Sequence, residues 1–332
     1  MKAPRGRRWR AGRNAYRSGG SRWGVRSSTW TLGTLVLFAL MVLAWAGNYL
    51  FVRVGELYVT PLWLATLRAG IGAAGVAGYL LVRPSPGPFS DRDRRDALLL
   101  GIPNTGLFLA LWFVAAPSVA PGAASVIVYT FPLWVALFSP AALGTHLGTA
   151  HWVAVGLGFG GVILVSRPWS AGVNSAALLP FVELLGAAVV WAIGTVLIQR
   201  RFEPVALARA NAYQLLGGAG FLVAVTVATG QVSWVAGPAD LWVAVLWLGL
   251  YGTAFAYGIW FFLLRQLHAS ALSAYSFLVP LTALVLSALF EGERLALVQL
   301  AGVALVLVSI YLVGRSHLTA PARGVPGRTP GP

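Results

Sequence analysis

The chain has 332 residues, 58% hydrophobic and 10% charged, and its 24 Lys and Arg against nine Asp and Glu give a formal net charge of +15. Soluble globular chains carry about 25% charged residues, so this composition excludes a water-solvated domain and makes lipid the main solvent. Cysteine is absent, which excludes a disulfide framework, a thiolate metal site and a cysteine nucleophile.

From the N-terminus, nine basic residues fall within the first 28 positions (Lys2, Arg5, Arg7, Arg8, Arg10, Arg13, Arg17, Arg22, Arg26) with no acid among them. A basic arm directly before an apolar helix holds that end in the cytoplasm against anionic lipid, which accounts for the charge without nucleic acid. No small-residue cleavage site follows, so the arm is not expected to be a signal peptide. A bilayer core of roughly 30 Å needs about 20 apolar residues of helix. Runs of that order lie near 30–53, 61–82, 97–116, 121–143, 150–166, 176–199, 205–228, 239–264, 270–290 and 297–314. The longest loop, 83–95, is polar, and residues 1–28 and 316–332 are expected to be disordered cytoplasmic tails.

Ten runs divide into two fives. Residues 98–147 and 246–295 align without a gap at a spacing of 148 and match at 13 of 50 positions. Among the matches are Gly101/Gly249, Thr105/Thr253, Trp112/Trp260, Phe113/Phe261, Pro132/Pro280 and Gly144/Gly292. The first two runs of each half align at 146, which sets Trp45-Ala46 on Trp191-Ala192 and Gly72-Ala73 on Gly218-Ala219. The expected fold class is therefore all-α integral membrane, ten transmembrane helices as two inverted five-helix repeats, 30–166 and 176–314. Five crossings per copy turn the second copy upside down, a build that places a small-molecule site at the midplane between copies. Basic residues outside the apolar runs number 19 on the N-terminal side and three on the other (Arg53, Arg167, Arg294). Both termini should then be cytoplasmic.

Several short stretches stand out along the chain: Trp45-Ala46-Gly47-Asn48, Arg68, Tyr129-Thr130-Phe131-Pro132, Trp191-Ala192, Tyr213-Gln214, Gly252 to Tyr257, Pro280, Gly292-Glu293-Arg294-Leu295 and Gly302. In order, spacing and repetition they resemble the EamA-type transporters of the drug/metabolite transporter superfamily. The resemblance covers about residues 30 to 315. It implies a ten-helix carrier with a central cavity, moving small organic metabolites such as amino acids by alternating access, with export favoured. The family's acid at the end of the fourth helix is replaced here by Thr145, followed by His146.

The candidate substrate-binding residues are Trp45, Asn48, Arg68, Trp112, Tyr129, Thr130, Trp191, Gln214, Tyr257, Trp260 and Tyr275, with Pro132 and Pro280 as hinges. Asn48 and Gln214 sit inside apolar runs and cannot satisfy a whole amide on their own helix, so each needs an interhelical partner, water or substrate. Single Ser and Thr hydroxyls more often bond their own backbone. Arg68 lies about seven residues into the second run, where it either snorkels and caps carbonyls or lines a wet cavity as an anion-favouring group. A pair with Glu183 is a further option. Interior prolines remove a backbone hydrogen bond, which makes them structural kinks or hinges.

The nine acids all fall outside mid-helix positions, and no metal cluster or P-loop pattern occurs. No cofactor is expected, direct ATP drive is excluded, and a facilitator or exchanger stands beside a proton-coupled pump. A lipid flippase of the same fold is the alternative; a membrane-embedded enzyme lacks a nucleophile–base pair at depth. The glycines of the second and fifth runs fit close packing within one chain, or a homodimer seam through the fifth.

Overall fold

The computed structural model describes residues 31–84, 88–143, 149–166, 175–233, 237–264, 272, 276, 278–292 and 294–318. Among these the chain is helical throughout: α1 (Leu32–Glu56), α2 (Pro61–Val82), α3 (Asp91–Ser118), α4 in two pieces (Pro121–Val128 and Phe131–Leu143), α5 (Thr149–Ser166), α6 (Ser175–Arg201), α7 (Leu207–Ala228), α8 in consecutive pieces over 239–264, α9 (Leu278–Phe290) and α10 (Leu297–Leu318). Seven spans, those of α1 to α4 and α6 to α8, are long and apolar enough to cross a bilayer; shorter apolar helices are Trp152–Val165, Leu278–Phe290 and Leu297–Ser309.

Local chemistry fixes the helix ends. Thr31 caps α1 by accepting from the Thr34 amide at 3.2 Å. Pro61 and Pro121 open α2 and α4, where a missing N–H costs nothing. Helix α3 begins six residues before its apolar run because Ser90 and Asp93 form a reciprocal capping box. Gly230 follows α7 at φ 67°, a left-handed turn open to glycine, and Gln231 N–H then donates to Thr226 O at 2.9 Å.

Each copy lends its first helix to the other. Helix α1 packs mainly on α8 and α9, and its counterpart α6 packs on α3 and α4. At one end of the bundle α2 meets α7, where Thr66 and Thr226 hydroxyls lie 2.9 Å apart and both donate toward Leu62 O. At the other end α5 lies along α10, with Gly161 against the Gly302 carbonyl and Ser309 Oγ donating to Ala154 O. Gly158 and Gly161 are thus spent inside the chain, whereas Gly156 and Gly160 meet nothing within 4 Å.

Two features depart from ten unbroken rods. Helix α4 breaks at Tyr129-Thr130, so Pro132 stands second in the new piece rather than kinking a continuous helix. Helices α3 and α8 each widen into π turns, over Ile102–Leu107 and Trp247–Phe255. Phe108 N–H donates to Pro103 O and Ala256 N–H to Tyr251 O, both five residues back and 148 apart from each other. Such turns recur at functional sites.

Candidate functional site

The matched π turns and the tight glycine seams beside them build two equivalent polar centres. On the seam of α2 with α8, a methyl on Gly72 would strike Thr253, and one on Gly249 would strike Ile71. On the seam of α7 with α3, a methyl on Gly218 would strike Thr105, and one on Gly101 would strike the backbone carbonyl of Gln214. This contact of bare backbones sets Arg68 and Gln214, which correspond at the spacing of 146, against the paired threonines.

The first centre is charged. Arg68 is 2% exposed. Its Nε donates to Thr253 Oγ1 at 3.0 Å, and the same hydroxyl donates to Leu248 O at 2.8 Å, five residues back across the π turn. With its amide turned as its neighbours require, Asn48 accepts from Arg68 Nη2 at 3.2 Å and donates to Ala44 O at 3.1 Å. The guanidinium lies over the Trp112 ring at 4.8 Å and near Phe113 at 5.7 Å. Its Nη1 is buried without a hydrogen-bond partner, and among the described residues Arg68 enters no ion pair, with Glu183 or any other acid.

The second centre is neutral. Gln214 Oε1 accepts from Asn104 Nδ2 at 2.5 Å and from Thr105 Oγ1 at 3.3 Å, while its Nε2 donates to Asn211 Oδ1 at 2.9 Å. The asparagine changes helix between the two. Asn48 on α1 occupies the space over Gly252 of α8, whereas Asn104 on α3 occupies the space over Gly194 of α6. Residues 48 and 194 correspond, as do 104 and 252. Each centre therefore has room for one asparagine and takes it from a different helix.

A cavity of about 20 Å³ opens beside the charged centre, lined by Trp45, Asn48, Tyr49, Arg68, Phe108, Trp112, Val128, Tyr129, Trp191 and Tyr257. Its aromatic wall is continuous. Trp45 and its counterpart Trp191 meet edge to face at 5.9 Å, Tyr257 joins Trp45 at 5.9 Å, Phe108 stacks on Trp191 at 5.0 Å, and Tyr49 lies 4.9 Å from Trp112. Pro132 has no N–H to return to the carbonyl of Val128, four residues back and in the lining. The wall can hold an apolar body by ring faces, and Arg68 Nη1 can meet an acceptor oxygen.

Seven of the sequence candidates line this cavity. Trp260 stands behind it, 5.4 Å from the Trp45 ring. Thr130 is buried and donates to Ile127 O at 2.8 Å, the backbone use common for such hydroxyls. Gln214 belongs to the neutral centre, Pro280 is buried in α9, and Tyr275 lies outside the described residues, as do Glu293, Thr145 and His146. Tyr49, Phe108 and Val128 were not expected. Phe108 stands one turn before Trp112, and that spacing was the available signal.

A second cavity, about 500 Å³, sits where the starts of α1 and α7 meet the ends of α2 and α8. Val76, Ala254, Ile259, Phe261 and Phe262 form much of its wall, and Tyr79 and Asn211 are its polar side chains. Asn211 also receives the Gln214 amide, so this apolar space borders the neutral centre.

A doubled helical bundle of apolar spans, with polar centres repeated in its interior, defines a multi-pass membrane protein. By sequence the chain belongs to the EamA-like transporter family, whose model matches residues 32–167 and 180–315. It is 28% identical over 281 residues to the uncharacterized transporter YvbV of Bacillus subtilis, covering 84% of this chain and 91% of that one. It is 30% identical over 273 residues to the uncharacterized transporter sll0355 of Synechocystis, covering 77% and 82%. It is also 25% identical over 300 residues to the uncharacterized inner membrane transporter YedA of Escherichia coli K12, covering 87% and 92%. One crystal structure is similar in fold at a TM-score of 0.65, with 20% identity over 87% of this chain and 99% of that one. The protein is a membrane transporter and not an enzyme.

Proposed function

We propose that the chain crosses the inner membrane ten times as two inverted five-helix repeats, 30–166 and 176–314, with both termini cytoplasmic. It moves small organic metabolites, amino acids and related carboxylates, outward by alternating exposure of the cavity around Arg68. The observation that carries this reading is a buried guanidinium with a free Nη1 in an aromatic wall built by both copies. A cavity of about 20 Å³ holds about one water, so loading a solute requires the helices to part. The matched π turns, the broken α4 and the paired prolines are the places where α3, α4, α8 and α9 can give. Self-association, if it uses α5, is confined to the Gly156 and Gly160 face.

A second reading, a lipid flippase, is favoured by one feature, the apolar cavity between α1, α2, α7 and α8. Liposomes carrying the full chain separate the two: flux of water-soluble amino acids without scrambling of labelled lipid supports the transporter. The chain has no cysteine, so single cysteines at Asn48, Tyr129, Gln214 and Tyr257 report access directly. Labelling of Asn48→Cys and Tyr129→Cys by a polar thiol reagent from one side, reduced by substrate, is expected. Four unreactive positions would remove the cavity as the pathway.

A further inference from the structure

The equivalent of Arg68 is Gln214, so the fold fills that seam with a neutral side chain as readily as with a charged one. The charge at Arg68 is therefore not a packing requirement. Its neighbours do not neutralise it: a threonine oxygen on Nε, an asparagine amide on Nη2, and the faces of Trp112 and Phe113. Nη1 is left over, and among the described residues no carboxylate stands within ion-pair distance. A cation held from water by dipoles and rings alone is an expensive arrangement, and one that a bound anion relieves.

We propose that Arg68 makes the carrier an obligatory exchanger of small organic monocarboxylates: the cavity crosses between its two exposures when a carboxylate sits on the guanidinium and stalls when none does. The inference rests on the central cavity being the transport site and adds to it a substrate class and a mode of coupling. Loaded, the site carries no net charge through the closed state. Empty, it carries one positive charge that a space of about 20 Å³, with room for about one water, hydrates only in part. A zwitterion adds an ammonium for which the lining supplies no carboxylate. An oxo acid should then exchange faster than the amino acid with the same body.

The test uses liposomes holding the full chain, preloaded with unlabelled phenylpyruvate or with buffer, and follows entry of labelled phenylpyruvate; 4-methyl-2-oxopentanoate and L-phenylalanine are parallel arms. Entry into preloaded vesicles at about tenfold the rate into empty ones or more is expected, with L-phenylalanine slower. Arg68→Gln, which copies the other seam, should bring the ratio toward one, and Arg68→Lys should keep it. Equal entry with and without an internal pool overturns exchange and leaves the transport site standing. Absence of oxo-acid flux while neutral or cationic solutes move overturns the proposal, substrate class and coupling together, and leaves the transport site standing. Failure of every solute, together with four unreactive cysteines, removes the transport site itself. Should Arg68→Gln not insert, the native ratio and the Lys variant decide.

Discussion

The two polar centres occupy equivalent places on equivalent helices, yet they run in opposite directions electrically. At the charged centre Thr253 is an acceptor for Arg68 and turns its proton back to Leu248 O. At the neutral centre Thr105 is a donor, and its proton goes across the seam to Gln214 Oε1. The replacement of arginine by glutamine thus reverses the hydroxyl. The asparagine also sits on the first helix of the first copy at the charged centre and on the third helix of that same copy at the neutral one. The two copies share one mould, and the half that holds the charge is filled differently from the half that does not. The aromatic wall gathers beside Arg68, and the roomy apolar space lies along α2 and α8 with Asn211 of the neutral centre on its border.

The largest expected effect comes from breaking the mould itself. A methyl on Gly101 meets the backbone of Gln214, which cannot move alone, whereas one on Gly249 meets the Ile71 side chain and leaves the Arg68 carbonyl at 3.4 Å. Gly101→Ala should therefore cost about 3 kcal/mol or more, and Gly249→Ala about 1 kcal/mol. Unfolding in detergent measures both. Equal losses would mean that the two seams are not packed differently.

Much of this was readable in the residues alone. The spacings of 148 and 146 mark the doubling, and the pairing of Arg68 with Gln214 follows from the second of them. Depth in an apolar run singled out Asn48 and Gln214, because an amide there must find partners. Asn104 gave the same signal, yet its correspondence to Gly252 showed its meaning only once the seams were seen. The π turns left no periodic trace, since one extra residue in a turn does not alter an all-apolar pattern. Tyr49, Phe108 and Val128 line the cavity by position on the wall, and an aromatic or aliphatic residue in a lipid-soluble helix is expected everywhere. Pro132 was legible as a breaker, but not that the break falls before it, at Tyr129-Thr130.

The next effect in size moves the asparagine. Asn48→Gly removes the acceptor from Arg68 Nη2, and Gly252→Asn drives a second amide into the space of the first. Each alone should destabilise by about 1–3 kcal/mol. Together they give the charged centre the arrangement of the neutral one, an asparagine on the π-turned helix facing a glycine. The pair should recover about 1 kcal/mol or more relative to the sum of the singles. Simple additivity in a double-mutant cycle would show that the two sites are not interchangeable moulds.

The last comparison tests the reversed hydroxyls, and its neutral member carries the smallest effect. Valine keeps the shape of threonine and removes the oxygen. Thr253→Val leaves Arg68 Nε without its acceptor, a bond to a charged group worth about 1.5–3 kcal/mol, and also withdraws the proton from Leu248 O. Thr105→Val removes a long neutral bond of 3.3 Å to an oxygen that keeps Asn104 as its donor, so a loss of about 0.5 kcal/mol is expected. The ratio matters more than either number. With Arg68→Gln in the background, the cost of Thr253→Val should fall toward that of Thr105→Val, because the hydroxyl then faces an amide as its counterpart does. If Thr253→Val costs the same in both backgrounds, its value lies in the π turn and the charge does not set the direction of the hydroxyl.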